Sequence, residues 1–436
     1  MSGRRVAGRL HHHSIHGGRL ITMNYTLKEV FTPGGLPSVT YVDREHLDLE
    51  RKIKRAVSRG YAINVVTGPT KSGKSVLCHR VLGSVNLIAI EGGQVQSEDE
   101  FWQLVAHKMQ VAATEKSSTS RGSKASVTGS AGWKLGALLT LGSSLEANNT
   151  TISEKTLVKS LKIACIDAMI NSEAVLLVDD FHYVDPSIQK TIIQAVKGPV
   201  MAGLTVFLLA VPHRAFDPIT VENEIEGRFK HIEIPPWSVD DLELIPKRGF
   251  PALNIDCPNA VQRRICEEAF GNPLLVQEAC SELCLENDID KTQPKSTKID
   301  GSKLDSAFAE IARSKGFPKF EKLKKGPQAR KARQPRSLAD GTEEDIYSTI
   351  MMAIAASGPK AKTSYDDIRA SMKDVLAEGA KMPQKNEITS ALSHMSAIAK
   401  KDIKGEPPLE WVRDDDDLII TDPFLLFYMK YAFRKK

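Results

Sequence analysis

Eight residues, Gly68-Pro69-Thr70-Lys71-Ser72-Gly73-Lys74-Ser75, carry the spacing GxxxxGK[ST], and they follow the apolar run Tyr61-Ala-Ile-Asn-Val-Val-Thr67. A buried strand that empties into such a loop and then into a helix makes a cradle for phosphate. The loop N–H groups converge on phosphate oxygens while the helix presents its positive end. Lys74 is expected to neutralise the outer phosphates and Ser75 to ligate Mg²⁺, with Val76 beside them at the start of the helix. Gly68 and Gly73 permit the close backbone approach. The chemistry predicted is binding of ATP or GTP. A chance Gly/Ser-rich turn is the competing account, and a second motif weighs against it.

That motif is Ala174-Val-Leu-Leu-Val178-Asp179-Asp180, an apolar run too short for a helix and ending in two carboxylates. It reads as a parallel strand that opens into a site. Mg²⁺ takes hard oxygen ligands and keeps several waters, so Asp179 is assigned to the metal shell and Asp180 to orienting or deprotonating the attacking water. Asp reaches less far than Glu, which predicts slow hydrolysis.

Residues of these types act only if larger elements hold them together. The 436 residues suffice for two or three domains, and 41% hydrophobic with 26% charged residues is an ordinary globular balance. No stretch approaches the ~20 apolar residues that cross a bilayer. The first 22 residues, with His11, His12, His13 and His16, have no apolar core and read as a disordered extension before Met23 rather than a secretory signal. A cytoplasmic location is expected. Six cysteines without a CxxC pair argue against a zinc site or a disulfide framework, and a net charge of +5 names no partner.

Between residues 23 and 235 the pattern alternates strands (61–67, 85–90, 174–178, 205–211, 230–234) with helices, as in a parallel sheet covered on both faces. Ser97-Glu-Asp-Glu100 and Thr151-Ile-Ser-Glu154 are capping boxes that open two of the helices. Residues 114–150, rich in Ser, Thr and Gly, read as a mobile insertion. Residues 236–285 turn wholly helical, with helices near 238–246 and 258–269 and a third that opens at Gly271-Asn-Pro-Leu274; this is a small helical lid. Residues 286–340 lose periodicity, with eight basic and one acidic residue from Lys319 to Arg336, and read as a basic linker. From 341 to 436, helices opening at Thr342-Glu-Glu-Asp345 and spanning 363–377 and 384–401, a hairpin of 409–412 with 418–420 and a closing aromatic helix from Pro423 form the pattern of a winged helix.

With these pieces in place, Tyr41-Val42-Asp-Arg44-Glu45, the phosphate loop, the LLVDD strand end and Gly271-Asn-Pro273-Leu make the chain resemble the AAA+/STAND branch of P-loop ATPases, close to origin-recognition and archaeal-type ATPases with a C-terminal winged helix. The resemblance covers Val39 to Leu285 well and the C-terminal domain moderately. It implies an α/β fold with a P-loop core, helical lid and winged helix. It carries adenine contact onto Val42, Arg44 and Pro273, and a sensor role onto His213, with Arg214 its rival. It places at Arg228 an arginine that reaches a neighbouring subunit's nucleotide. No arginine stands beside Gly271, so a lid sensor arginine is not expected.

These readings converge on an ATP- and Mg²⁺-dependent molecular switch that assembles with itself or with a separate effector protein, serving a bacterial conflict system such as antiphage defence. The alternative is a DNA-binding ATPase of replication or transposition type, touching DNA through 319–336. Against it, residues 341–436 hold sixteen acidic and fourteen basic residues, and Asp414 to Asp417 fall at the wing tip. A small-molecule kinase would use the same loop but has no need of a lid and winged helix.

Overall fold

The computed structural model describes residues 24–111, 150–211, 228–328, 332–403 and 407–432, with backbone alone for 150–160. Five strands, β1 (Ile63–Thr67), β2 (Leu87–Glu91), β3 (Val175–Asp179), β4 (Thr205–Ala210) and β5 (Phe229–Glu233), form one sheet in the order β2-β3-β4-β1-β5. Every pairing in it is parallel. Side chains alternate across a strand, so β3 sends Leu176 and Val178 into the core with Phe101, Trp102 and Ile192, and Val175 and Leu177 into the core with Ile53, Leu77 and Cys78. Burial on both faces explains why β1, β3 and β4 read as apolar runs.

Of the two capping boxes, that at Ser97 opens its helix, whereas Thr151 lies inside a helix that already includes Thr150. Ser97 accepts the Glu100 N–H at 3.1 Å and Glu100 accepts the Gln96 N–H at 2.9 Å, opening the helix Glu98–Met109. The insertion read at 114–150 falls almost wholly outside the described residues. In the lid, Ser238 caps a helix that runs from Val239 to Ala252, well past the expected end near 246. Pro246 does not stop it. The backbone bond that proline cannot make is outweighed by burial of Phe250, whose ring meets Phe31 edge-on at 5.3 Å. Gly249 makes room for the Phe31 ring, since a Cβ there would sit 2.4 Å from it.

The described residues of the basic linker expected at 286–340 are instead folded. Helices Leu304–Ile311 and Phe317–Lys325 bury Leu304, Ala307, Phe308, Ile311, Phe320 and Leu323. Those positions keep the helical three-and-four spacing, which the surrounding lysines obscured. The lysines serve the fold: Lys324 pairs with Glu344 at 2.9 Å, Lys319 with Asp422, Arg333 with Asp345 and Arg336 with Glu387. One apolar core thereby runs from the lid through this segment into the C-terminal region.

The C-terminal region is winged-helix-like. Helices Ile346–Ala356, Tyr365–Val375 and Lys385–Asp402 precede the hairpin of Leu409–Val412 and Asp417–Ile420, and the helix Pro423–Tyr431 closes the chain. A third strand, Lys362–Ser364, occupies what reads in sequence as the start of the second helix; it pairs antiparallel with Asp417–Ile420. Asp417, expected in the turn, lies in a strand and pairs with Lys362 at 2.7 Å, and Asp416 pairs with Lys385 at 2.6 Å. No described helix is long and apolar enough to cross a membrane.

Candidate functional site

The phosphate loop leaves β1 at Thr67 and enters the helix Lys74–Leu82. Gly73 caps that helix at φ +88, a conformation suited to glycine. Gly68 lies so close to the segment after β5 that a Cβ would stand 2.8 Å from the Ile234 carbonyl. Lys71, at φ +57, holds a left-handed conformation that costs a side-chain-bearing residue about 1–2 kcal/mol.

Contacts from several elements hold this shape. Lys74 Nζ donates to the carbonyls of Gly68 and Pro69, both at 3.0 Å. From the lid, Trp237 Nε1 donates to the Ser72 carbonyl at 2.8 Å and Asn272 Nδ2 to the Thr70 carbonyl at 3.3 Å. Peptide planarity then fixes the direction of the Lys71 and Gly73 N–H groups that follow. Asn272 also accepts from Leu274 N and Leu275 N, so one side chain caps the helix Pro273–Glu286 and grips the loop.

Between loop, lid and N-terminal segment lies a cavity of about 370 Å³. This is within the range of small-molecule sites. Thr70, Lys71, Ser72, Gly73, Lys74, Ser75 and Val76 border it, as do Val42, Arg44, Asp180 and Pro273. Gly68 and Pro69 do not; their carbonyls are engaged by Lys74. Asp179, buried as the last residue of β3, stands behind, where its Oδ1 accepts the Asp180 N–H at 2.9 Å. Asp180 is held at φ +49, and Gly92 of the neighbouring strand end packs against it so tightly that a Cβ would come within 2.5 Å of its carbonyl.

Arg44 borders the cavity, but its guanidinium is committed elsewhere. It donates to the Pro235 carbonyl at 2.9 and 3.0 Å and lies over the Trp237 ring at 4.7 Å, while burial lowers its pKa. It therefore acts on the loop through Trp237. Arg228 is outside the cavity: it precedes Phe229, which is level with Ile63, so it sits at the end of the sheet opposite the loop. His213 and Arg214 lie outside the described residues.

Sequence reasoning missed Trp237, Asn272 and Gln277. Gln277 is buried on the cavity wall, donating to Thr40 Oγ1 at 2.8 Å and accepting the Thr32 N–H at 3.1 Å. Its spacing of four from Pro273 was the available signal, since i and i+4 share a helix face.

Thr32 Oγ1, Arg44 Nε and Ser72 Oγ are buried without a hydrogen-bond partner, and all three residues border this cavity. Such a group costs ~1–3 kcal/mol when left unpaired. A polar, anionic ligand suits the donors around it. Ser75 and Asp179 supply hard oxygens of the type that hold Mg²⁺.

A parallel sheet in the order β2-β3-β4-β1-β5, with a phosphate loop after β1 and an acidic end on β3, is the AAA+-like P-loop ATPase fold. The chain is similar to the Walker-type ATPase PABY2304 of Pyrococcus abyssi at 15% identity, over 89% of this chain and 96% of that one, with a TM-score of 0.54. It is similar also to the ORC2 protein of Aeropyrum pernix, described as ADPNP–ADP complexes, at 12% identity over 92% and 96% of the two chains, with a TM-score of 0.50. At these identities the likeness speaks for the fold alone. No family model matches the sequence, and no curated protein does.

Proposed function

We propose that the chain is a nucleotide-driven ATPase switch, binding ATP between the phosphate loop and the lid and hydrolysing it slowly. The observation that carries this reading is the cavity itself, where seven consecutive loop and helix residues, 70–76, meet Asp180, Val42 and Pro273. The similar ORC2 protein, described with ADPNP and ADP, supports an adenine nucleotide.

In this mechanism loop N–H groups and Lys74 hold the phosphates, Val42 and Pro273 flank the base, and Arg44 steadies Trp237 and through it the loop. Ser75 and Asp179 would hold Mg²⁺, which when bound neutralises charge on the phosphates. Asp180 orients and deprotonates a water. His213 is the proposed sensor. Arg228, remote from its own cavity, is the candidate to reach a neighbouring subunit's nucleotide. Size-exclusion with light scattering is expected to show a larger species with Mg²⁺ and ATP than without; an unchanged profile at saturating nucleotide would remove self-assembly from this reading.

A DNA-binding ATPase of replication type is the second reading, and the fold likeness to an origin-recognition protein favours it over a defence role, which neither similar structure supports. The expected contact through 319–336 is weakened, since Lys319, Lys324, Arg333 and Arg336 are paired within the chain. Duplex binding measured against salt decides. A log–log slope steeper than about −4 would mean several phosphates neutralised. No binding near physiological salt would end the DNA reading.

A further inference from the structure

Within the phosphate loop, the Lys71 side chain is tied to the start of the closing helix. Its ammonium meets Asp422 Oδ2 at 3.1 Å and lies 5.6 Å from the centre of the Phe424 ring. Asp422 is 3% exposed, and its two oxygens divide their work. Oδ1 accepts the N–H groups of Phe424 and Leu425, capping the helix Pro423–Tyr431, while Oδ2 takes Lys71 and Lys319. Burial alone would raise this carboxyl's pKa, but the two ammonium charges outweigh it and hold the group ionised below the usual carboxylate range. The helix does not move freely around this point. At Gly316 a Cβ would fall 2.3 Å from the Phe424 carbonyl, so the closing helix and the segment that carries Lys319 are packed as one unit.

We propose that Asp422 is an internal anion that competes with the nucleotide's phosphates for Lys71, so that nucleotide affinity is set from the C-terminal region. Asp422 touches no nucleotide atom; it is a positioning residue that works through Lys71. The exchange is physically feasible because Lys71 can leave without stranding a buried charge: Asp422 keeps Lys319 and two N–H donors. Phosphates seated in the loop bring several negative charges beside Lys71, which borders the same cavity. They would also repel the Asp422 carboxylate. Nucleotide binding and docking of the closing helix therefore oppose each other, and by linkage each weakens the other by the same factor.

This inference rests on the nucleotide reading of the loop. Its test uses two substitutions predicted to act in opposite directions, which simple damage to the fold would not produce. Asp422→Asn keeps a capping oxygen but removes the charge, freeing Lys71, and should tighten MgATP binding roughly tenfold. Lys319→Met leaves Lys71 as the only cation on the buried carboxylate and should weaken MgATP binding by about the same factor. In a Lys71→Gln background both effects should vanish, and in the wild type MgATP should speed amide exchange in Pro423–Tyr431. Calorimetry that shows wild-type binding but unchanged or weaker binding by Asp422→Asn overturns this proposal alone. No binding by the wild type or by Asp422→Asn overturns the nucleotide reading together with it.

Discussion

Lys74→Ala is expected to abolish MgATP binding in calorimetry, a loss of at least ~100-fold in affinity. Lys74 is 6% exposed at the first position of the loop helix, and its ammonium donates to two loop carbonyls. Truncation does two things. It removes the lysine placed inside the cradle at the GK[ST] position, and a charge-assisted bond to a desolvated phosphate is worth ~2–5 kcal/mol. It also leaves the Gly68 carbonyl without the Lys74 donor, at ~1–3 kcal/mol where water cannot reach it, while the Pro69 carbonyl keeps the Ser72 N–H at 3.2 Å. The first loss appears in affinity and the second in stability, so a melting curve taken beside the calorimetry separates them. Binding that persists within about threefold of wild type would mean that the loop does not hold phosphate.

The second large effect is expected at Asp180. Asp180→Asn should slow ATP hydrolysis by ~10²–10³ while changing nucleotide affinity little, because a positioned acid–base group contributes about that factor to turnover. The geometry separates it from its neighbour. Asp180 borders the cavity, while Asp179 is buried at the end of β3 and accepts the Asp180 N–H. The backbone there has little freedom, since Gly92 packs against both carbonyls and Asp180 holds φ +49. An amide keeps the shape and loses the base. Single-turnover hydrolysis measured with binding on the same protein gives the answer: equal loss of both would reassign Asp180 to holding the metal.

Legibility differed from element to element for physical reasons. β1, β3 and β4 announced themselves because strands buried on both faces must be apolar throughout, and the loop was legible because its glycines and Lys74 answer to local backbone geometry. The end read near 246 fell short, since the helix continues through Pro246 to Ala252 with Phe250 packed on Phe31. The segment 304–325 misled more seriously. Its lysines looked like a solvated run, yet their partners, among them Glu344 and Asp422, are distant in sequence, and only the folded chain reveals that the charges are spent internally.

The same division holds at the candidate site. Short-range pattern sufficed for the turn of the loop, the acidic strand end and the caps at Ser97 and Ser238, because each depends on residues within a few positions of one another. It did not suffice for the helix read as opening at Thr342, which Asp345 caps after Glu343 and Glu344 enter a short strand. Arg44 over Trp237, Trp237 on Ser72, Gln277 beside Thr40 and Asp422 on Lys71 are contacts across 165 to 351 positions of chain, and no spacing rule reaches that far. What the amino-acid order supplied alone was the residue types, a glycine-bounded loop with Lys74 and Ser75 and a strand ending in two carboxylates. Which groups surround that loop, and that one of them is a buried anion sharing its lysine, was decided by tertiary packing, which brings remote side chains within a few ångströms and removes the water that would otherwise screen them.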